Sequence, residues 1–205
     1  ILEKAKNTVF GKEHNFSSIK SYADFRKSVP IKTYEEFFPY IQRLRKGEED
    51  ILWPGEIKWF AKSAGTTNTK SKFIPISKEA LEDCHYKAGK DMLAIYCNNH
   101  HDTTVFDGKG LMLGGSQDSN PLKKYVDGDL SAILLDNFPF WINIHRIPDL
   151  ETALLSKWEE KLKKIVAQSI NENITNLTGA SSWMLIVLNN VLEKTKAKNI
   201  LEVWP

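Results

Sequence analysis

From Phe60 to Lys72 the chain reads Phe-Ala-Lys-Ser-Ala-Gly-Thr-Thr-Asn-Thr-Lys-Ser-Lys. Ser63, Thr66 and Thr67 supply hydroxyls around Gly65, and Lys70 and Lys72 supply cations on the exit side. Phosphate oxygens require this equipment: backbone amides that approach closely, hydroxyl donors and a compact cation. Gly65 permits the tight path. The competing reading is a polar turn in a β-hairpin, for which Ser, Thr, Asn and Gly are ordinary residues. Neither G-x-x-x-x-G-K-[ST] nor G-x-G-x-x-G is present, so a Walker-type kinase and a dinucleotide dehydrogenase lose ground.

A second polar turn, Thr178-Gly179-Ala180-Ser181-Ser182, separates a short apolar run from an apolar helical stretch. Its plain reading is an αβ connection in which Ser181 or Ser182 caps the helix. Cys84, His85, Cys97, His100 and His101 lie close in sequence, but their spacing matches no C-x2-C type site, and no metal site is expected. Phe138, Phe140 and Trp141 read as core. Gly114–Pro121 reads as a flexible surface loop, with a lid as the alternative.

The elements that must carry these turns follow from periodicity. Thr33-Tyr34-Glu35-Glu36 has capping-box spacing and predicts a helix from Tyr34 to about Arg45, strained by Pro39 and closed at Gly47. Ile57–Ala61 and Phe73–Ile76 predict short buried strands on either side of the first loop. Ser77 predicts a cap for a helix reaching about Asn98, with Leu81, Cys84, Ala88, Met92 and Ile95 facing inward. Lys109–Leu113 predicts a strand. A helix over Glu151–Ser169 follows, burying Leu150, Leu154, Trp158, Leu162, Ile165 and Val166 while its lysines and glutamates face water. Ile174–Leu177 predicts a strand, Ser181–Lys194 a helix, and Asn199–Trp204 a closing strand. Short apolar strands alternating with amphipathic helices indicate an α/β fold, a layered sheet-and-helix domain whose ligands bind at loops leaving the strand ends.

Length and composition set the outer bounds. The 205 residues are 41% hydrophobic and 26% charged, as in an ordinary globular protein. A formal charge of +2 gives no support to a nucleic-acid partner. The longest apolar run, Met184–Leu188, is far short of a membrane span. Two cysteines form no disulfide framework and suggest reduced thiols in a cytoplasmic protein. The chain opens on Ile1 and stops at Trp204-Pro205 behind an apolar segment, so a fragment is expected.

Several motifs occur in a fixed order: Thr8-Val9-Phe10-Gly11-Lys12-Glu13-His14, Val29-Pro30-Ile31, Pro39-Tyr40-Ile41, Gly47-Glu48, Leu52-Trp53-Pro54-Gly55, then the loop and its exit Lys72-Phe73-Ile74-Pro75-Ile76-Ser77. With Thr178–Met184 and Leu201–Pro205 they make nearly the whole chain resemble the N-terminal part of the bacterial branch of the auxin-responsive (Gretchen Hagen) acyl acid–amido synthetase family, within the adenylate-forming superfamily. The resemblance implies residues 1–205 as an incomplete N-terminal adenylation domain without its C-terminal part and lid. It implies an enzyme that activates a small carboxylic acid with ATP as an acyl-adenylate and passes the acyl group to an amino acid. The first nucleotide motif then falls on Ser63, Gly65, Thr66, Thr67 and Lys72. Ala64 stands where many relatives have a second serine, and Asn68-Thr69 replace a further glycine. Mg²⁺ is expected mainly on ATP oxygens. Thr178, Gly179 and Ser181 are implied as acyl-pocket residues, and no catalytic residue is singled out. The fragment alone is expected to be inactive. The alternative readings are a coenzyme A ligase and a non-catalytic adenylation fold kept as a binding module.

Overall fold

The computed structural model describes residues 1–63, 71–118 and 124–205. In chain order it contains helices α1 (Leu2–Ala5), α2 (Val9–Glu13), α3 (Tyr22–Ser28) and α4 (Tyr34–Arg45), then strands β1 (Trp59–Lys62) and β2 (Phe73–Ile76). A π-helical turn, Ala80–Tyr86, leads into α5 (Lys87–Asn99), followed by β3 (Lys109–Met112), β4 (Gln117–Asp118) and β5 (Val126–Gly128). The remainder is α6 (Leu130–Asp136), α7 (Phe140–Asn143), β6 (Arg146–Ile147), α8 (Leu150–Leu154), α9 (Trp158–Ser169), β7 (Ile174–Thr178) and α10 (Ser181–Thr195). The chain divides into two compact units, one of Ile1–Cys84 with Asp118–Gly128, the other of His85–Gln117 with Asp129–Pro205.

In the first unit, β1 pairs antiparallel with β2 and parallel with β5, within a sheet ordered β2-β1-β5-β4. The Trp59↔Ile76 and Lys62↔Phe73 register makes β1 and β2 the two arms of the Ser63–Lys72 loop. Helix α4 starts as its sequence dictates: Thr33 accepts from the Glu36 amide, and the Glu36 carboxylate accepts from the Thr33 amide at 2.7 Å. Ile41 and Leu44 from α4 pack with Ile51, Ile57 and Phe60 in one core. Ala5, Phe10 and Phe16 form another, where α2 approaches so closely that a side chain on Gly11 would meet the Ala5 carbonyl.

In the second unit the sheet is wholly parallel, ordered β6-β3-β7. Leu111, Ile147 and Ile174 from the strands meet Ile165 and Val166 of α9 and Met184, Val187 and Val191 of α10. Trp204 completes this core, its indole N–H donating to the Ser169 carbonyl at 3.1 Å.

Several expectations are overturned. Asn199–Trp204 forms no strand: Ile200–Glu202 is a 3-10 turn that delivers Trp204 inward. The helix expected over Glu151–Ser169 breaks at Leu155–Lys157 into α8, capped at its start by Asp149 through the Thr152 amide, and α9; Leu155 (ψ 134°) and Lys157 (ψ 108°) leave the helical conformation between them. Only Leu81 of the stripe expected to face inward is buried; Met92 and Ile95 on α5 are 64% and 63% exposed. Phe140 and Trp141 are exposed rather than core, while Phe138 packs on the Tyr86 ring. Lys161 does not face water: it is 3% exposed.

Candidate functional site

The Ser63–Lys72 loop leaves the carboxyl end of β1, whose parallel neighbour β5 ends beside it at Gly128. Open α/β sheets bind ligands at such strand ends. Ser63 and Lys72 face each other at the loop's base. The Ser63 amide donates to the Lys72 carbonyl at 2.8 Å, and the Lys72 amide donates to the Ser63 hydroxyl at 3.2 Å. Gly65, Thr66 and Thr67 lie outside the described residues.

A set of side chains braces this base, and none of them was singled out from the sequence. The Tyr34 hydroxyl accepts from the Phe73 amide at 2.8 Å, and the Lys72 ammonium lies 5.1 Å from the centre of the Tyr34 ring. Arg45, the last residue of α4, projects its guanidinium over Phe73 (4.3 Å) and Tyr125 (4.8 Å) and pairs with Asp127 of β5 at 2.8 Å. Arginine suits the position because its planar, delocalised cation stacks on rings while its edge donates to a carboxylate. The signal missed in the sequence was Tyr125-Val126-Asp127-Gly128: β5 has three residues, too short for any periodicity to register.

Elsewhere in this unit, Glu79 accepts from Trp53 Nε1 at 2.9 Å and pairs with Lys4 at 2.9 Å. The Lys4 bond above all, with backbone and Trp53 bonds behind it, lowers its pKa to about 2.

In the second unit the carboxyl ends of β3 and β7 lie side by side. The Leu113 amide donates to the Thr178 carbonyl at 2.8 Å. Gly179 follows with φ +154°, and a side chain there would come within 2.8 Å of the Leu113 Cβ. Helix α10 begins immediately after. Its cap is Ala180, not Ser181 or Ser182 as expected, and no side chain caps it among the described residues. Ser181 is the first helical residue, exposed like Thr178 and Gly179. The uncapped amides and the positive end of the helix dipole suit an anionic group.

Of the flexible surface loop expected over Gly114–Pro121, Gly114–Ser116 are held by hydrogen bonds, and 119–121 lie outside the described residues. The buried Lys161 ammonium donates to the carbonyls of Gly114 (2.8 Å), Gly115 (3.0 Å) and Ala153 (2.6 Å). Asp129 accepts from the Ser116 amide at 2.9 Å, and Ser131 accepts from the Gly115 amide at 2.9 Å. Burial lowers the Lys161 pKa, and the Asp129 charge works in the opposite sense. Among the described residues no group of three or more His, Cys, Asp or Glu side chains converges as a metal-binding cluster. Nor is any described helix long and apolar enough to cross a membrane.

All 205 residues match the family description "GH3 family N-terminal domain". Similar curated proteins include the 4-substituted benzoates-glutamate ligase GH3.12 of Arabidopsis thaliana, 33% identical over 89 residues, which are 43% of this chain and 15% of that protein. The indole-3-acetic acid-amido synthetase GH3.2 of Arabidopsis thaliana is 32% identical over 83 residues, 40% of this chain and 15% of that protein. The jasmonoyl–L-amino acid synthetase JAR4 of Nicotiana attenuata is 30% identical over 83 residues, 40% of this chain and 14% of that protein. The fold is similar to that of the GH3.15 acyl acid amido synthetase (TM-score 0.71, 19% identity, 95% of this chain and 34% of that one). It is equally similar to the AtGH3.15 acyl acid amido synthetase in complex with 2,4-DB (TM-score 0.73, 21% identity, the same coverage). The chain thus spans about a third of the solved structures it resembles, and its matches cover about a seventh of these curated relatives. These relatives are plant proteins, so the expected bacterial branch gains no support from them.

Proposed function

Since the chain belongs to the GH3 family, through that family's N-terminal domain, we propose that it is part of an enzyme that adenylates a carboxylic acid and transfers the acyl group to an amino acid. The observation that carries this reading is the loop cross-linked at Ser63 and Lys72, at the carboxyl end of a strand with a parallel neighbour. In the first step a carboxylate oxygen attacks the α-phosphorus of ATP and pyrophosphate leaves. In the second an amine attacks the acyl carbon and AMP leaves. The first step brings like charges together, so donors aimed at the phosphates lower its barrier. We assign that task to Ser63, Gly65, Thr66 and Thr67, with Lys72 meeting charge on the departing pyrophosphate. Mg²⁺ would arrive on the ATP oxygens, with few protein ligands. Thr178, Gly179 and Ser181 are assigned to the acid, whose carboxylate suits the uncapped start of α10. The naming of relatives as amido synthetases favours an amine over coenzyme A as acceptor. The free thiols Cys84 and Cys97 favour a cytoplasmic setting. The 205-residue chain alone is incomplete in this reading, and turnover of an acid by it would count against that.

The experiment is ATP–pyrophosphate exchange in the full-length protein. Thr66→Ala and Lys72→Ala should each slow exchange by about a hundredfold, the usual loss on removing one donor to developing charge. Wild-type exchange rates in both variants would overturn the assignment of this loop.

A further inference from the structure

Lys161 is a lysine at the wrong kind of position. It lies on α9, where the neighbouring Lys163 is exposed, yet its own side chain is buried against backbone carbonyls. An ammonium has three N–H donors, and here each meets an oxygen: Gly114 at 2.8 Å, Gly115 at 3.0 Å and Ala153 at 2.6 Å. Two of those oxygens belong to consecutive residues. Successive carbonyls of an extended strand point to opposite sides, so the chain must turn after β3 to aim both at one point. Backbone carbonyls converging on one buried charge are how proteins replace the hydration shell of a small cation. Here the cation is covalently attached. A neutral amine would have only two N–H donors for the three oxygens, so the cage favours the charged form against the burial that lowers its pKa.

The turn held this way is otherwise tightly constrained. The Asp129 carboxylate accepts from Ser116 and its amide donates to the Ser116 carbonyl at 2.9 Å. A side chain on Gly115 would lie 2.0 Å from the Asp129 carboxylate, and one on Gly114 would lie 2.4 Å from Leu135. The residue before the turn, Leu113, bonds Thr178 and is the surface against which Gly179 packs.

We propose that Lys161 is a positioning residue whose ammonium acts as a tethered cation, fixing the Gly114–Ser116 turn and, through Leu113, the Thr178–Gly179 turn assigned to the acid. The second half of this statement rests on the function proposed above; the first half does not.

The test uses the full-length protein with Lys161→Ala and Lys161→Met. Lys161→Ala removes the methylenes and the ammonium together and leaves room for n-propylammonium to replace them. Amide hydrogen exchange at Leu113, Gly115 and Ser116 should accelerate by about tenfold or more, since local protection there depends on the cage. n-Propylammonium should restore protection saturably, whereas sodium and tetrapropylammonium, the latter too large for the cage, should not. Lys161→Met keeps the stem volume and should lose protection without rescue. Should Lys161→Ala fail to fold in plain buffer, its refolding yield with and without n-propylammonium gives the same reading. Unchanged exchange, or equal rescue by tetrapropylammonium, would overturn the tethered cation. In activity, the KM for the acid should rise about tenfold with the KM for ATP unchanged. Both rising together would show a general loss of structure and overturn the positioning role. A wild-type protein without ATP–pyrophosphate exchange would sink the proposed function and leave the exchange measurements to judge the cage.

Discussion

Removing the Arg45 guanidinium should loosen the base of the Ser63–Lys72 loop more than any substitution inside the loop. Its Nη2 sits 2.8 Å from the Asp127 carboxylate, and its plane lies against Phe73 and Tyr125 at 4.3 and 4.8 Å. Asp127 is 7% exposed, so taking the guanidinium away costs a buried carboxylate its charge-assisted bond to Arg45. Removing one partner of a fully buried pair costs roughly 3–5 kcal/mol. About a fifth of the Arg45 side chain meets water, which brings the expectation for Arg45→Met down to about 3 kcal/mol. The ring contacts are inside that figure. Arg45→Lys keeps the charge but loses the planar face, and should cost about 1–2 kcal/mol. The two units need not unfold together, so global melting is the wrong readout. Amide exchange at Ala61 and Ile74, partners across the two strands, reports on the β1–β2 pairing, and that at Phe73 on its bond to the Tyr34 hydroxyl. A loss of 3 kcal/mol there corresponds to about a hundredfold faster exchange. Paired with Asp127→Leu, Arg45→Met should cost about 1.5 kcal/mol less than the two single changes summed, since the bond between the two side chains is then counted once rather than twice. Strict additivity, or an Arg45→Met effect below about 0.5 kcal/mol, would refute the bracing role.

Two further perturbations test particular contacts. Gly179→Ala forces a side chain onto a positive-φ residue within 2.8 Å of Leu113, and should destabilise the β3–β7 end by about 1–3 kcal/mol; faster exchange of the Leu113 amide checks it against an Ala180→Gly control. Glu79, held at about 2 by Lys4, backbone and Trp53 bonds, favours the folded state above its ordinary value of 4.5 and loses that advantage as pH falls toward 2. An unscreened shift of that size amounts to about 3 kcal/mol, and with a third of the side chain in water roughly 1 kcal/mol is expected. Stability between pH 5 and 2, followed by urea titration, should therefore fall less steeply in Glu79→Gln by about that amount.

Legibility in the sequence followed the range of the interactions. Helix α4 was readable to its ends because its start is written in four adjacent residues, Thr33 to Glu36, that satisfy one another. Strand β2 was readable because Phe73–Ile76 is a short apolar run between polar residues. The closing residues misled because Ile200, Val203 and Trp204 suit a strand as well as a turn, and only a partner at Ser169, far back in the chain, decides between them. Met92 and Ile95 misled for a related reason: helical spacing says which residues share a face, not whether anything covers it.

The same distinction separates what each candidate site owes to sequence from what it owes to folding. The hydroxyls and glycine of residues 63–67 are consecutive, and their chemistry is visible as a string. Their anchorage is not: Tyr34 and Arg45 come from the two ends of α4 and Asp127 from β5, far along the chain. Lys161 is the extreme case. In a helix rich in lysine and glutamate its one local mark is helical spacing with Trp158 and Ile165, which Lys163 and Lys164 lack and which does not say what its charge would meet. What singles it out is a turn 46 residues earlier whose carbonyls need a donor that backbone amides do not supply there. The burial of the Lys161 charge is offset by bonds on every donor, which the three carbonyls provide. Loops that touch substrate can therefore be sought in short motifs, while the residues that hold those loops still are found by asking which buried charges have all their donors satisfied by backbone.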